Sequence, residues 1–337
     1  MSTCEATFML GAAEPKNADC HVTACIDPSG DVDHILRHAF AVAKALEAPV
    51  TLLQILEGQS SQMRPDPIEW DLRHQEARRA LGKLASSPDD QTQLAEVQLA
   101  EGQAGEAICR ATEQQSSELL VLGLHGSHDE LCPGPGSTIH HVLHRAPGSL
   151  LLVPQPSDGA TQPPYRRILI PMDGSAWAES DIPLAVRIAR VNDAEILLAH
   201  VIPSPELTEA RPLEPADLDL RRQVVERNER AACSFLDRSR SAVTALGLNV
   251  RVLCIKGNEV RAALADMITA EQADLVVLSA RGHGTGSHGD MPCGNVTAYL
   301  MTHCRTPMLI VRTPIPDHSS TTCASIQGLR LPELASA

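Results

Sequence analysis

The sequence predicts two tandem α/β domains, each a doubly wound, five-stranded parallel sheet flanked by helices. Two observations carry this. Short aliphatic runs of four to seven residues alternate with longer helical patterns, and the runs are apolar throughout rather than at every second position. Such runs mark parallel strands covered on both faces. The order of these segments in the first half then recurs in the second. Repeated strand–helix–strand units close into a parallel sheet with right-handed crossovers.

The elements pair off in order. HVTACIDPSGDVDHILRHAFAVAKAL, from His21, matches RRILIPMDGSAWAESDIPLAVRIARV, from Arg166. In each, an apolar run ends in Asp (Asp27, Asp173), a turn with Ser follows (Ser29, Ser175), and an amphipathic helical pattern begins. The second strands are VTLLQIL (Val50–Leu56) and ILLAHVI (Ile196–Ile202). Next comes a helix in each half. Trp70, His74, Ala77, Leu81 and Leu84 form one apolar face, and Leu220, Val224, Ala231, Phe235 and Val243 the other, with charged stretches such as RRQVVERNER left to solvent. ELLVLGLHG (Glu118–Gly126) matches DLVVLSARG (Asp274–Gly282), and LHRAPGSLLLV (Leu143–Val153) matches MTHCRTPMLIV (Met301–Val311). Between the halves, Pro154 to Tyr165 holds four Pro and no aliphatic run, a stiff polar connector. The expected organisation is domain 1 over 19–154, a Pro-rich linker over 155–165, domain 2 over 166–313, and a flexible tail over 314–337.

Composition narrows the function. The chain has 337 residues, 28 Lys plus Arg against 42 Asp plus Glu, and a net charge of −14. That balance excludes broad phosphate-backbone binding and disfavours anionic membrane surfaces, so neither nucleic acid nor membrane is expected as a partner. Three Phe, two Trp and two Tyr leave little for base stacking. No stretch reaches the roughly 18 apolar residues of a membrane helix, and the N-terminus lacks a basic region ahead of its apolar patch. A cytoplasmic protein is expected. Its ten cysteines contain no C-x-x-C and read as reduced thiols, with Cys25 and Cys254 as small core residues. His140, His141, His125 and His128 lack any zinc-ligand spacing, so no metal site is assigned.

In a doubly wound sheet the ligand crevice lies at the C-terminal strand ends, where strand order reverses. There the first half carries Gly123, Gly126, nine residues, then Gly136 and Ser137 opening a helix. Glycines let backbone amides approach a ligand, and a helix start adds free N–H groups and the positive dipole end, together a phosphate cradle. G-x2-G-x9-G-[S/T] at the fourth strand resembles the nucleotide loop of the universal stress protein family. The strands ending in Asp27 and Asp173, ILLAHVI, APGSLLLV and RTPMLIV resemble it as well. The chain is therefore identified as resembling a tandem member of that family.

The resemblance implies domains that dimerise through their last strands. Here Leu150–Val153 and Met308–Val311 would pair edge to edge within the chain, an intrachain pseudo-dimer that hides two exposed strands. Whole chains could pair further as homodimers. It implies ATP, with Mg2+ or Mn2+, as the candidate cofactor, since some members bind it and others bind none. By position, Asp27 and the backbone near Leu56 would hold the adenosine end, and Gly123, Gly126, Gly136 and Ser137 the ribose and phosphates. The counterparts are Asp173, Val201, Gly282, Gly294 and Asn295. The second half departs from the pattern: Ser279 replaces the first loop glycine, eleven residues separate Gly282 from Gly294, and Asn295 replaces Ser or Thr. In the first loop, Asp129 and Glu130 oppose a phosphate, and Pro133 and Pro135 remove amide donors.

Simpler roles stand beside these. Asp27, Asp173 and Ser137 can serve as helix caps, the glycines as turn residues, and His200 as a hydrogen-bonded core histidine. No G-x-S-x-G, Walker A or first-strand G-x-G-x-x-G is present, so no enzyme is expected beyond slow incidental ATP hydrolysis. A nucleotide-binding signalling module, with a protein partner not specified by sequence, is the leading reading. An interaction scaffold with vestigial crevices is the alternative.

Overall fold

The structure is a computed structural model that describes residues 21–28, 30–58, 66–86, 95–115, 117–124, 136–155, 164–203, 215–280 and 293–312. The expected tail, most of the linker and both glycine-rich loops lie outside these residues. The first half runs β1 (His21–Cys25), α1 (Val32–Leu46), β2 (Val50–Leu56), α2 (Pro67–Ala85), β3 (Ala95–Glu101), α3 (Ala104–Gln114), β4 (Ser117–Gly123), α4 (Ser137–Arg145) and β5 (Ser149–Val153). The second runs β6 (Arg167–Pro171), α5 (Ala176–Ser180), α6 (Ile182–Asn192), β7 (Glu195–Pro203), α7 (Pro215–Thr244), β8 (Val250–Gly257), α8 (Val260–Ala270), β9 (Leu275–Ser279), α9 (Asn295–His303) and β10 (Met308–Val311).

The strands form one ten-stranded sheet in the order β3-β2-β1-β4-β5-β10-β9-β6-β7-β8. Pairing is parallel within each half. The halves meet where β10 runs antiparallel to β5, with Met308 opposite Leu152, Leu309 opposite Leu151 and Ile310 opposite Leu150. All six of these side chains are fully buried. This is the pseudo-dimer that the family resemblance implied, with edge-strand physics: two aliphatic edges that would template aggregation cover each other. Each apolar layer runs across both halves. Val22, Leu52, Ile168 and Leu198 share one face, while Leu120, Leu152, Leu197 and Ile310 share the other. The halves are also tied by Arg187 Nη2, which donates to the Leu46 carbonyl at 2.8 Å, and by Arg312, whose guanidinium donates to the Leu143 and Ala146 carbonyls at the C-terminus of α4.

Each half buries α1 or its counterpart against the sheet and ends it with a left-handed residue, Glu47 or Asp193, both at φ 51. The second half breaks that helix in two. Pro183 sits in the first turn of α6, where it presets the backbone but cannot continue the preceding turn. Two expectations are corrected. On α7 the packed face is Ala232, Leu236, Ser239 and Val243, with Phe235 half-buried. Leu220 and Val224 are 59% and 36% exposed and Ala231 is exposed while its neighbour Ala232 is buried, so the packed face is rotated by one residue from the expected stripe and begins only midway along the helix. Cys254 is exposed on the edge strand β8, where an apolar run does not guarantee cover.

Gly148 shows how tightly the β4–β5 approach is built. A Cβ there would sit 2.6 Å from the Ser117 carbonyl oxygen and 2.7 Å from that of Glu118. Gly148→Ala is expected to destabilise the protein by about 2–3 kcal/mol, since the clash is with backbone that cannot rotate away. Urea unfolding checks this; a change under 0.5 kcal/mol would show that the strands separate freely.

Candidate functional site

In each half the strand order reverses beside the first strand, at β1/β4 and at β6/β9, and the candidate residues gather at the C-terminal ends of those strands. In the first half, Ile26 donates to the Leu53 carbonyl at 2.8 Å and holds the chain just before the exposed Asp27. Gly30 N–H closes a turn on the Asp27 carbonyl at 3.0 Å. The helix cap is Asp31, whose carboxylate accepts from His34 N–H at 3.1 Å, so Asp27 is not the cap. Leu56 is buried at the end of β2, and its carbonyl accepts from Gly102 N–H at 3.2 Å. Gly123 ends β4, and the next residue, Leu124, is pinned by donation to the Val153 carbonyl at 2.7 Å.

Gly136, not Ser137, is the N-cap of α4. It has extended backbone (φ −61, ψ 166) and supplies no side-chain acceptor. Ser137 is the first helical residue and is exposed. Among the described residues no side-chain oxygen caps the first-turn amides of α4, the arrangement that receives an anion. Ser137 also opens a hollow of about 610 Å3 along α4, lined further by His140, His141, His144 and Arg145. None of these side chains is acidic. Gly126, with Asp129, Glu130, Pro133 and Pro135, lies outside the described residues.

The second half has the same frame and different chemistry. Ala280 donates to the Val311 carbonyl at 3.0 Å, and Gly294 to the Ala280 carbonyl at 2.9 Å. Gly294 caps α9 with φ −66 and ψ 157, again with no side-chain acceptor, and Asn295 is its exposed first residue. Gly282 lies outside the described residues. Val201 is buried in β7 opposite Ile255. Asp173 acts locally: its Oδ1 accepts from Ser175 N–H at 2.9 Å and from Ser175 Oγ at 2.5 Å, while Ser175 Oγ accepts from Ala178 N–H at 3.2 Å. Asp173 thus orients the serine that caps α5. His200 Nδ1 lies 2.5 Å from the Met172 carbonyl oxygen. A carbonyl can only accept, so Nδ1 carries the proton and the ring is a core hydrogen-bond donor, edge-on to Phe235.

Asp181, between α5 and α6, was not legible as a site residue. It is fully buried, and among the described residues neither carboxyl oxygen has a hydrogen bond of ordinary geometry. Burial pushes its pKa up to about 8. Ser279, by backbone and hydroxyl, lies close enough to pull the other way, and the neighbouring Asp173 charge adds to the rise. Counting from Asp27 and Asp173, Asp181 stands where the first half has Ile35, and in the matched strands ELLVLG and DLVVLS, Ser279 stands where it has Gly123. A partly buried aliphatic packed against the core has become a carboxyl beside a hydroxyl.

These features define a class: a tandem, doubly wound α/β protein with one topological switch point per half. The sequence matches the profile of the universal stress protein family over residues 21–154 and again over 164–312, and the chain belongs to that family. Among solved structures it is similar to a universal stress protein from Archaeoglobus fulgidus DSM 4304, with 16% identity, TM-score 0.63, and 88% of this chain and 99% of that one covered. It is also similar to a protein of unknown function from Pseudomonas aeruginosa PAO1, with 13% identity, TM-score 0.60, and 88% and 93% covered. At these identities the likeness is one of fold. No curated protein matches the chain. Among the described residues no helix is long and apolar enough to cross a membrane.

Proposed function

We propose that this protein is a cytoplasmic stress-response module that acts by binding rather than turnover, and that it takes ATP, with Mg2+ or Mn2+, at one crevice per chain, in the first half. The observation that carries this is the α4 N-terminus. Among the described residues, Gly136 leaves the first-turn amides of α4 without a side-chain cap, and the hollow along α4 is lined by Ser137, His140, His141, His144 and Arg145, none of them acidic. Phosphate oxygens fit such donors, and the exposed Asp27 supplies an acceptor suited to a ribose hydroxyl or an amino group. In the second half Asp173 is engaged by Ser175, Ser279 stands in place of the first loop glycine, and eleven residues rather than nine precede Gly294, which disfavour the same ligand there and support the scaffold reading for that half. Since the inner edges are already paired, any homodimer would use other surfaces.

The test is calorimetric titration of the full chain with ATP and Mg2+. The expected result is one site per chain, weakened at least tenfold by Gly136→Val. The backbone at Gly136 is one that any residue adopts, so the variant acts through bulk over the amides. No heat at millimolar ATP would remove the nucleotide reading and leave the scaffold.

A further inference from the structure

The outer edge of the second half brings two cysteines face to face. β7 and β8 are parallel, so the crossover helix α7 runs against them. Along β8, Val250 and Val252 pack in the layer that holds Phe235, Leu236 and Val243 of α7, while Leu253 packs in the opposite layer. Side chains alternate along a strand, so Cys254 and Lys256 share the α7 face. Lys256 fixes the register: its Nζ lies 2.8 Å from Glu229 Oε2 of α7. From Glu229, Cys233 is four residues on along the same helical stripe, a rise of about 6 Å. From Lys256, Cys254 is two residues back, about 6.6 Å in the same direction. The two steps match, so Cys233 lies against Cys254, one rung beyond the ion pair. Both thiols are free and exposed.

We propose that Cys233 and Cys254 form a reversible thiol–disulfide site, oxidised by a hydroperoxide and reduced by a dithiol. The Cys233 sulfur attacks the peroxide O–O bond, becomes a sulfenic acid and releases water or an alcohol. The Cys254 sulfur then attacks that sulfenic sulfur, the S–S bond forms and water leaves. Overall two thiols give up two protons and two electrons, which reduce the peroxide. Cys254 is the resolving partner: its flank against α7 is dry enough to push its thiol pKa up, Cys233 and Glu229 add to this, and Lys256 opposes it. The bond would staple the exposed edge strand β8 to α7 and so restrict the sheet's outer edge.

The experiment treats the full chain with hydrogen peroxide, blocks free thiols, and maps peptides without reduction. The expected result is a linked Cys233–Cys254 peptide that dithiothreitol reverses and that is absent in Cys233→Ser and in Cys254→Ser. The oxidised wild type should also unfold several degrees higher than the reduced form, a shift missing in both variants. Because mapping the wild type alone reports the link, the test does not depend on the variants. Cys233 and Cys254 both remaining open to alkylation would overturn the proposal. Separate oxidation of the two to sulfinic acids, or linkage of either to another cysteine, would do the same.

Discussion

Asp181→Asn is expected to stabilise the protein by about 3 kcal/mol or more at pH 9, and to have little effect near pH 4. The carboxyl is fully buried without a well-formed hydrogen bond, and its pKa rises from 3.8 in the unfolded chain to about 8. The sign follows from proton uptake. Between those values the native state holds a proton that the unfolded chain has released, so stability falls as pH rises from about 4 to 8 and then levels. Ionising the group in place costs on the order of 5 kcal/mol. The isosteric amide removes that cost while keeping the shape, and loses part of the gain because its own polar atoms are also buried. Other titrating groups contribute to both proteins, so the difference between their pH profiles isolates Asp181. Urea unfolding of each from pH 4.5 to 9 checks it; parallel profiles would show that Asp181 is solvated in the native state. Asp173→Asn should lower the Asp181 pKa, because Asp173 adds to its rise.

Most of the fold was legible because it rests on short-range pattern. Continuous aliphatic runs identified the buried parallel strands, and the internal repeat supplied their order twice. The β5–β10 contact was legible from the family resemblance, which implies domains that pair through their last strands, and each half on its own leaves an apolar edge strand that needs cover. What failed was exposure at the periphery. Leu220, Val224 and Ala231 have helical spacing, but periodicity does not say whether a sheet lies beneath, and α7 is longer than the strands it covers. Cys254 follows Val252 and Leu253 in an apolar run, yet β8 is an edge strand with one open flank. The site was read unevenly. The glycines and the helix start at Gly136 were visible as motif, but the one-residue shift of the cap from Ser137 to Gly136 was not. Asp181 was hidden because Asp before Ile182-Pro183 reads as an ordinary helix cap. Its side chain caps nothing. Setting it against Ile35 in the repeat was the available signal, since a carboxyl in place of a packed aliphatic is expensive unless something receives it.

Tyr165 is expected to be among the most costly side chains to remove, although composition places it at the end of a polar connector. It is fully buried in the apolar layer that spans both halves, and its hydroxyl is hydrogen-bonded to His38 Nδ1 at 2.7 Å. Burial pushes its phenol pKa further up, so it stays neutral. One turn earlier on α1, His34 stands edge-on to His38, and the Pro154 carbonyl acts on its ring. The two histidines thus engage both ends of the connector, Pro154 and Tyr165, from a single helix. Tyr165→Phe keeps the ring and strands a buried imidazole nitrogen, for about 1–2 kcal/mol. Tyr165→Ala also opens a cavity in a layer shared by the halves and should cost about 3–5 kcal/mol. The difference between the variants separates packing from the hydrogen bond, and urea unfolding measures both. Tyr165→Ala should also loosen the coupling of the halves, splitting a single unfolding transition into two. If both variants unfold with wild-type midpoints, the ring does not join the halves, and their coupling rests on the β5–β10 edge, the α1–α6 contact and Arg312.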